Sequence, residues 1–282
     1  MSQRPNYLRS SPRFDRTHWA EEWHRQRPEL QIADLFCGRG GVGHALKKFF
    51  PHHVYAGFDI VDYSAKYPGQ FIQCDLINNR PINRDRPTAD IAWVSFPCTA
   101  YSSLSATHYG SAEAALEANP RITDEFRAWL RENFAHYIIE NVPRATYHGD
   151  LDANVRINGP AFGQDYIYER HFETTFSCPD AWAPRRPDKD YITIDTRSTD
   201  DQSSAALADA KGLPEDWSDK QAIRSATPWQ YVYWLLAHCP SIQCPCPKQK
   251  RQPTLGETIG TPGRHQLYPS YPDVENSSNR SE

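Results

Sequence analysis

The chain has 282 residues, a length that suits one α/β domain with a buried core plus tails but not two full-sized catalytic units. Hydrophobic residues make up 39% and charged residues 23% of the sequence, and no apolar run approaches the roughly 20 residues that a membrane span needs. The net charge of −4 argues against a protein that coats nucleic acid, although it allows a local basic surface.

Composition divides the chain into three predicted parts. Residues 1–29 are polar and basic without the apolar core of a secretory signal, so we expect an N-terminal extension of a cytoplasmic protein with mostly reduced cysteines. Residues 30–238 carry the apolar runs and are expected to form the main domain, in which residues 177–205 form a loop-rich segment. Residues 239–282 are expected to form an extended or disordered tail.

Apolar runs alternate with helical patterns and predict βαβ units. The predicted strands are Gln31–Phe36, Val54–Phe58, Phe71–Gln73, Ile91–Val94 and Tyr137–Ile139, and the predicted helices are Val42–Phe50 and Ile122–Asn133. Continuous apolarity suits strands that are buried on both faces of a parallel sheet. Further on, Tyr166–Phe176 alternates and predicts a half-exposed antiparallel strand. Asp219–Ala237 predicts a closing helix that is interrupted at Pro228.

Chemically unusual residues follow the carboxyl ends of these strands, where open α/β sheets bind ligands. Asp34–Gly43 is a glycine-rich turn that lets backbone approach a ligand, although such turns also serve other nucleotide cofactors or packing alone. Asp59 ends the next strand, where a carboxylate often accepts hydrogen bonds from ribose hydroxyls. Together they predict an adenosine-containing cofactor, whereas Asp59 or Asp75 taken singly suggests turn chemistry.

A thiol and a carboxylate follow the next two strands. Cys98 begins a polar loop, and the preceding Pro97 favours an exposed thiol that can be activated over a buried core cysteine. Glu140 and Asn141 close the fifth strand, and Pro143 fixes them at the strand tip. Burial at an apolar strand end raises the pKa of a carboxyl group, which allows Glu140 to hold a proton near neutral pH.

Three of these segments, in this order, resemble motifs of the DNA cytosine-5 methyltransferases: Asp34–Gly43, Phe96-Pro97-Cys98 and Glu140-Asn141-Val142. The segment from Tyr168 to Glu173 resembles the Arg-containing segment of short phage-type members, and the segment from Lys211 to Tyr231 resembles their closing segment. The resemblance implies a doubly wound, mostly parallel sheet of the S-adenosylmethionine-dependent methyltransferase (Rossmann-like) type.

By this resemblance the chain transfers a methyl group from S-adenosylmethionine to C5 of a cytosine in DNA. Cys98 would add to C6 of the base while Glu140 holds the proton shared with N3, and the base must be flipped out or single-stranded. Asn141 would position Glu140, and Arg170 would contact the base carbonyl or a phosphate. The implied cofactor-binding residues are Asp34, Phe36, Gly38, Arg39, Gly40, Gly41, Asp59, Asp75 and Pro97.

In detail, Asp59 would take the ribose and Asp75 the adenine amino group. The sequence departs from the family at Phe96 and Thr99, where Pro-Pro-Cys-Gln is usual. It also has the single Arg170 where members often have two arginines, and only residues 177–205 in place of a large recognition domain. Sequence specificity is therefore expected to be low, or to come from a partner or the tails.

Three alternatives stay open: an RNA cytosine-5 methyltransferase, an inactive cofactor-binding scaffold, and transfer of a carboxylate-bearing group. The last follows from Arg39, which places a cation inside the cofactor turn. No metal is expected, because Cys239, Cys244 and Cys246 do not have the spacing of a zinc site and are expected to be free thiols.

Overall fold

A seven-stranded sheet is the frame of the protein, for which a computed structural model describes residues 30–78, 80, 89–194, 202–214 and 216–242. The strands are β1 (Gln31–Leu35), β2 (Val54–Asp59), β3 (Gln70–Gln73), β4 (Ala89–Ser95), β5 (Phe134–Asn141), β6 (Val155–Ile157), β7 (Tyr166–Ile167), β8 (Arg170–Thr174) and β9 (Ile192–Thr193). The large sheet has the order β3-β2-β1-β4-β5-β8-β6, and β7 pairs with β9 in a separate small sheet. Only β8 in the large sheet is antiparallel to its neighbours. This confirms the predicted doubly wound, mostly parallel sheet of Rossmann-like type.

Helices connect the strands. They are α1 (Gly41–Phe49), α2 (Ser103–Tyr109), α3 (Ala112–Ala118), α4 (Asp124–Asn133), α5 (Pro143–Tyr147), α6 (Ser204–Lys211), α7 (Lys220–Ser225) and α8 (Trp229–His238). The strand order reverses between β1 and β4, so the connections that leave these two strands diverge. A crevice therefore opens at their carboxyl ends, where such sheets bind ligands.

The five predicted parallel strands coincide with β1 to β5 to within three residues at each end. The continuous apolar runs reflect burial on both faces of the sheet, as predicted, since Ile91, Trp93 and Val94 in β4 are completely buried. Helix α4 begins two residues later than predicted, since the Thr123 side chain accepts a hydrogen bond from the Phe126 amide and so caps the helix.

The prediction of a half-exposed strand at Tyr166–Phe176 is wrong. Strand β8 lies between β5 and β6, and all five of its residues are buried. Its polar residues suggested a face exposed to solvent. They are buried instead, because they pair with other residues inside the protein. Glu173 accepts two hydrogen bonds from the Arg127 guanidinium at 2.9 Å, and Arg170 forms an ion pair with Glu140.

The closing segment is interrupted at Pro228, as predicted. Helix α7 begins after Asp219, whose carboxylate accepts hydrogen bonds from two amides of its first turn, and α8 begins directly after Pro228. The predicted loop after Pro179 contains the short strand β9, and residues 195–201 of that loop lie outside the described residues.

The division into residues 1–29, 30–238 and 239–282 stays a prediction, since residues 1–29 and 243–282 lie outside the part of the chain that the structure describes. Cys244 and Cys246 lie there too, whereas Cys239 is buried. Across the described ranges, none of the helices is both long and apolar enough to cross a bilayer.

Candidate active site

The tips of β4 and β5 bring the predicted thiol and carboxylate to one edge of the sheet. Ser95 pairs in register with Glu140, and Cys98 follows three residues after Ser95. The Asn141 side chain donates a hydrogen bond to the Phe96 carbonyl at 3.1 Å and so ties the two tips together. Asn141 therefore fixes the backbone just before Cys98, and its role beside Glu140 stays a prediction.

Cys98 is the first residue of a short 3-10 turn, and its carbonyl accepts hydrogen bonds from the Tyr101 and Ser102 amides. Among the five cysteines that the structure describes, Cys98 alone is exposed. Burial raises the pKa of the Cys178 thiol to about 12 and that of Cys239 to about 11. Since the thiolate is the nucleophile, an exposed thiol at this edge is the one suited to react.

Glu140 is held inside the protein by Arg170. The Arg170 Nε lies 2.8 Å from Glu140 Oε1, and the two side chains are only 7% and 9% exposed. Burial raises the pKa of Glu140 above its ordinary value, and the nearby charges of Arg170 and Lys211 oppose this rise without cancelling it. The carboxyl group therefore takes up a proton at higher pH than an exposed glutamate does.

Lys211 and Tyr168 also lie at this centre, and the sequence analysis named neither of them as a site residue. Lys211 is completely buried, and its Nζ lies 3.6 Å from the ring centroid of Tyr168. The guanidinium carbon of Arg170 lies 3.7 Å from the same centroid. A single lysine in the sequence gives no sign of burial, and only the folded arrangement of α6 and the Tyr168–Arg170 segment reveals it.

The glycine-rich turn shows why its glycines are needed, and the reasons differ. Gly38 has a φ of +51°, and a Cβ built on it would meet nothing within 4 Å. A Cβ on Gly40 would lie 2.8 Å from the Tyr67 ring, and one on Gly41 would lie 2.8 Å from Ala226. Gly38 is therefore favoured by its left-handed backbone and faces open space, whereas Gly40 and Gly41 make room for neighbouring side chains.

Asp34 lies beneath this turn rather than at its surface. It is completely buried and accepts a hydrogen bond from the Tyr67 hydroxyl at 3.1 Å. Burial raises the pKa of Asp34 to about 8. Phe36, which has a φ of +56°, packs its ring against Phe96 at a centroid distance of 5.1 Å. These contacts fix the shape of the turn and join it to the tip of β4.

Asp59 ends β2 beside the turn, and its carboxylate accepts hydrogen bonds from the Gly38 amide at 2.9 Å and the Val61 amide at 3.0 Å. A carboxylate oxygen has two lone pairs, so each oxygen can accept a further bond. Ile60 and Val61, which follow, are 60% and 51% exposed. A carboxylate beside an apolar surface and the open side of Gly38 fits an adenosine group, with Asp59 on the ribose and Ile60 and Val61 on the base.

Asp75 has local partners. One of its oxygens accepts hydrogen bonds from the Ile77 and Asn78 amides, and the other accepts one from the Asn78 side chain at 2.8 Å. This is the turn chemistry that Asp75 alone suggests. Its contact with an adenine amino group stays a prediction.

The Arg39 guanidinium is paired with a carboxylate of the protein. Its guanidinium lies 2.8 Å from the carboxylate of Asp219, which also caps α7. The sequence-based possibility of a carboxylate-bearing donor required that this cation face the transferred group. Its pairing with Asp219 argues against that alternative.

Aromatic and basic side chains lie beside the tip of β5. Tyr147 is 75% exposed and packs edge-on against His171, and Trp182 is 42% exposed and lies 6.0 Å from the Arg156 guanidinium. His171 pairs in register with Asn141 and with Arg156, so these residues extend from β5 across β8 to β6. Tyr147, Arg156 and Trp182 are called the aromatic–basic patch below.

No protein-family model and no curated protein sequence matches the chain. Among solved structures, it is similar to the Entamoeba histolytica methyltransferase EhMeth, with 11% identity and a TM-score of 0.47 over 75% of this chain and 98% of the other. It is also similar to TrmN from Thermus thermophilus, with 15% identity and a TM-score of 0.30 over 55% of this chain and 47% of the other. A putative ribosomal RNA methyltransferase from Plasmodium falciparum gives 11% identity and a TM-score of 0.31 over 57% and 96%. Such low similarity assigns neither a substrate nor a residue's role, so the function must be argued from the side chains.

Proposed function

We propose that the chain transfers a methyl group from S-adenosylmethionine to C5 of a cytosine in DNA, with Cys98 as the nucleophile and Glu140 as the group that protonates the ring. One observation carries the proposal. An exposed thiol and a buried carboxyl group whose pKa is raised by burial lie at the tips of adjacent parallel strands. Activation of C5 in cytosine requires this pair, because the ring carbon is a poor nucleophile until a group adds at C6.

The proposed reaction passes through a covalent bond between the Cys98 sulfur and C6 of the base. The Cys98 thiol loses its proton to solvent, and the thiolate adds to C6 while Glu140 gives a proton to N3. Bound S-adenosylmethionine would supply the electrophilic methyl group that C5 takes up, with S-adenosylhomocysteine as the leaving group. Loss of the C5 proton to a base then expels Cys98 from C6 and restores the aromatic ring, and Glu140 recovers its proton from N3. Arg170 holds the Glu140 carboxyl in place at 2.8 Å and contacts the base carbonyl or a neighbouring phosphate.

The proposed cofactor site is the Gly38 turn with Asp59, Ile60 and Val61. S-adenosylmethionine carries an adenosine group that suits these residues, and its position at the carboxyl ends of β1 and β2 would direct the methyl group toward the neighbouring tip of β4, where Cys98 lies. Plain S-adenosylmethionine is the donor we propose, since Arg39 is paired with Asp219.

The aromatic–basic patch supports a nucleic acid as the substrate. Exposed aromatic rings stack on bases, and guanidinium groups pair with phosphates. The Arg156 guanidinium forms an ion pair with Asp180 at 2.8 Å. Stacking of bases on Tyr147 and Trp182 is therefore expected to contribute more to nucleic-acid binding than the charge of Arg156 does. The resemblance to phage-type members favours DNA over RNA.

A methyl-transfer assay with the full chain tests the proposal. The protein is incubated with S-adenosylmethionine and, in parallel, with single-stranded DNA, duplex DNA and RNA, and each digest is analysed by mass spectrometry. We expect 5-methylcytosine in DNA, and its loss in Glu140→Gln. Product in RNA alone would replace the proposed substrate. Cofactor binding without product in any arm would favour the scaffold alternative.

A further inference from the structure

Lys211 occupies a position that is built around it. It is the last residue of α6, and Gly212 follows with a φ of +68°. A Cβ on Gly212 would lie 2.1 Å from the Trp229 ring, so only glycine fits between α6 and α8. The chain therefore turns sharply after Lys211, and the lysine side chain points inward, where it is completely buried.

The ammonium group of Lys211 has backbone partners. Its Nζ donates hydrogen bonds to the Arg224 carbonyl at 2.6 Å and to the Ala226 carbonyl at 2.7 Å. Arg224 lies in the last turn of α7 and Ala226 directly follows the helix, at the end that carries the negative end of the helix dipole. These contacts stabilise a charged lysine in the interior, where an unpaired ammonium group is costly.

Two cationic side chains, Arg170 and Lys211, lie near the single carboxyl group of Glu140. Arg170 on β8 lies 2.8 Å from the Glu140 carboxyl, and Lys211 on α6 lies, like Arg170, against the ring of Tyr168. The positive charges of both residues lower the pKa of Glu140. Tyr168 is fixed in turn, since its hydroxyl donates a hydrogen bond to the Ser225 carbonyl at 3.1 Å. One buried carboxylate is thus matched by two cations, and the second is supplied by the closing segment of the chain.

We propose that Lys211 is a positioning residue for the Glu140–Arg170 pair: it lies against the ring of Tyr168 that it shares with Arg170, and its buried positive charge acts on the Glu140 carboxyl. The inference deepens the proposed function and rests on it, because Glu140 must both give a proton to N3 and take it back. Burial alone favours the protonated carboxyl group, and the second cation opposes that preference. A group that exchanges protons near the working pH is the more effective acid and base.

The test reads the protonation of Glu140 directly. Carboxyl absorption is followed by infrared difference spectroscopy during a pH titration of the full chain, with Glu140→Gln used to identify the band. Lys211→Gln removes the charge but keeps N–H donors for the two carbonyls, and Lys211→Met removes both. The pH at the midpoint of the Glu140 titration is expected to rise in both variants by roughly half to one pH unit, a threefold to tenfold change in proton affinity. Lys47→Met, which removes an exposed lysine on α1, should leave the midpoint unchanged.

The pH dependence of kcat/KM gives a second readout. If Glu140 acts in protonated form, activity falls as Glu140 loses its proton, and in Lys211→Gln this fall should move to higher pH. A folded Lys211→Gln protein with the wild-type midpoint would overturn the inference. Failure of Lys211→Gln to fold would also overturn it, by showing that the lysine serves the fold alone. Because the titration needs no turnover, a raised midpoint in a protein that methylates nothing would support Lys211 while contradicting the proposed function.

Discussion

The guanidinium of Arg170 lies 2.8 Å from the carboxylate of Glu140, with both side chains shielded from water. Removing one member of such a buried pair leaves the other charge without its partner, which is far more costly than replacing both. Arg170 thus contributes to the fold as well as to the proposed chemistry, and the two contributions can be measured separately.

Arg170→Met is expected to lower the free energy of unfolding by about 3–5 kcal/mol at pH 7, or by less where Glu140 takes up a proton instead. Urea unfolding measures the loss. The matched control is Arg156→Met, because Arg156 pairs with Asp180 at the same distance but with side chains that are 55% and 38% exposed. Its cost should be about 0–1 kcal/mol. Equal losses in the two variants would contradict the assigned importance of the buried pair.

Asp34 predicts a pH dependence of stability. Burial raises its pKa from 3.8 to about 8, so the folded protein binds a proton that the unfolded chain has lost over this range. Stability should therefore fall as pH rises from about 4 to about 8. Asp34→Asn, which has no such proton, should lack this component. In urea unfolding at several pH values, its stability relative to wild type should increase with pH, and a constant difference would refute the assignment.

The proposed cofactor site predicts that Asp59→Ala weakens binding of S-adenosylmethionine by about 1–3 kcal/mol, through loss of a carboxylate hydrogen bond to ribose. Isothermal titration calorimetry measures the affinity. Asp62→Ala is the control, since Asp62 lies three residues further along and its carboxylate accepts a local hydrogen bond from the Ser64 amide. Unchanged affinity in Asp59→Ala would remove Asp59 from the site.

Trp182 predicts a contribution to nucleic-acid binding. Trp182→Ala should weaken binding of single-stranded DNA by about 1–3 kcal/mol, because a stacking surface is lost while the fold is retained. Fluorescence anisotropy with a labelled oligonucleotide measures the change. Ile192→Ala tests another exposed apolar side chain, 38% exposed, of the same loop-rich segment and should have little effect. Equal affinities of the Trp182 variant and wild type would exclude the aromatic–basic patch from the binding surface.

Sequence reasoning predicted the parallel strands well, because burial on both faces demands continuous apolar runs such as that around Trp93. It also placed Cys98 and Glu140 at one edge, since carboxyl ends of parallel strands must meet there. It misjudged β8, where Arg170 and Glu173 are polar but buried, because their partners Glu140 and Arg127 are distant in sequence. Pairing between distant residues leaves no local pattern.

The reasons for the glycines in the glycine-rich turn were also only partly predictable from the sequence. The resemblance placed Gly38, Gly40 and Gly41 at the cofactor, whereas the structure gives Gly40 and Gly41 packing neighbours from segments that are remote in the sequence. Lys211 was missed for the same reason, since its partners Tyr168 and Arg224 lie on other elements.

The central claim is that Cys98 forms a covalent bond to C6 of the target base. In DNA that contains 5-fluorocytosine, the fluorine cannot leave C5 as a cation, so the adduct should persist after methyl transfer. The wild-type protein should then remain attached to DNA in a denaturing gel, and only when S-adenosylmethionine is present. Cys98→Ser should lose the attached band while still binding the cofactor, because a hydroxyl is far less acidic than a thiol.

Cys37→Ser is the control that makes this measurement decisive. Cys37 lies in the glycine-rich turn, but burial raises the pKa of its thiol far above the ordinary value, with further contributions from the nearby carboxylates of Asp34 and Asp59. The Cys37 variant should therefore trap DNA as wild type does. Trapping that persists in Cys98→Ser and disappears in Cys37→Ser would contradict the assignment of the nucleophile.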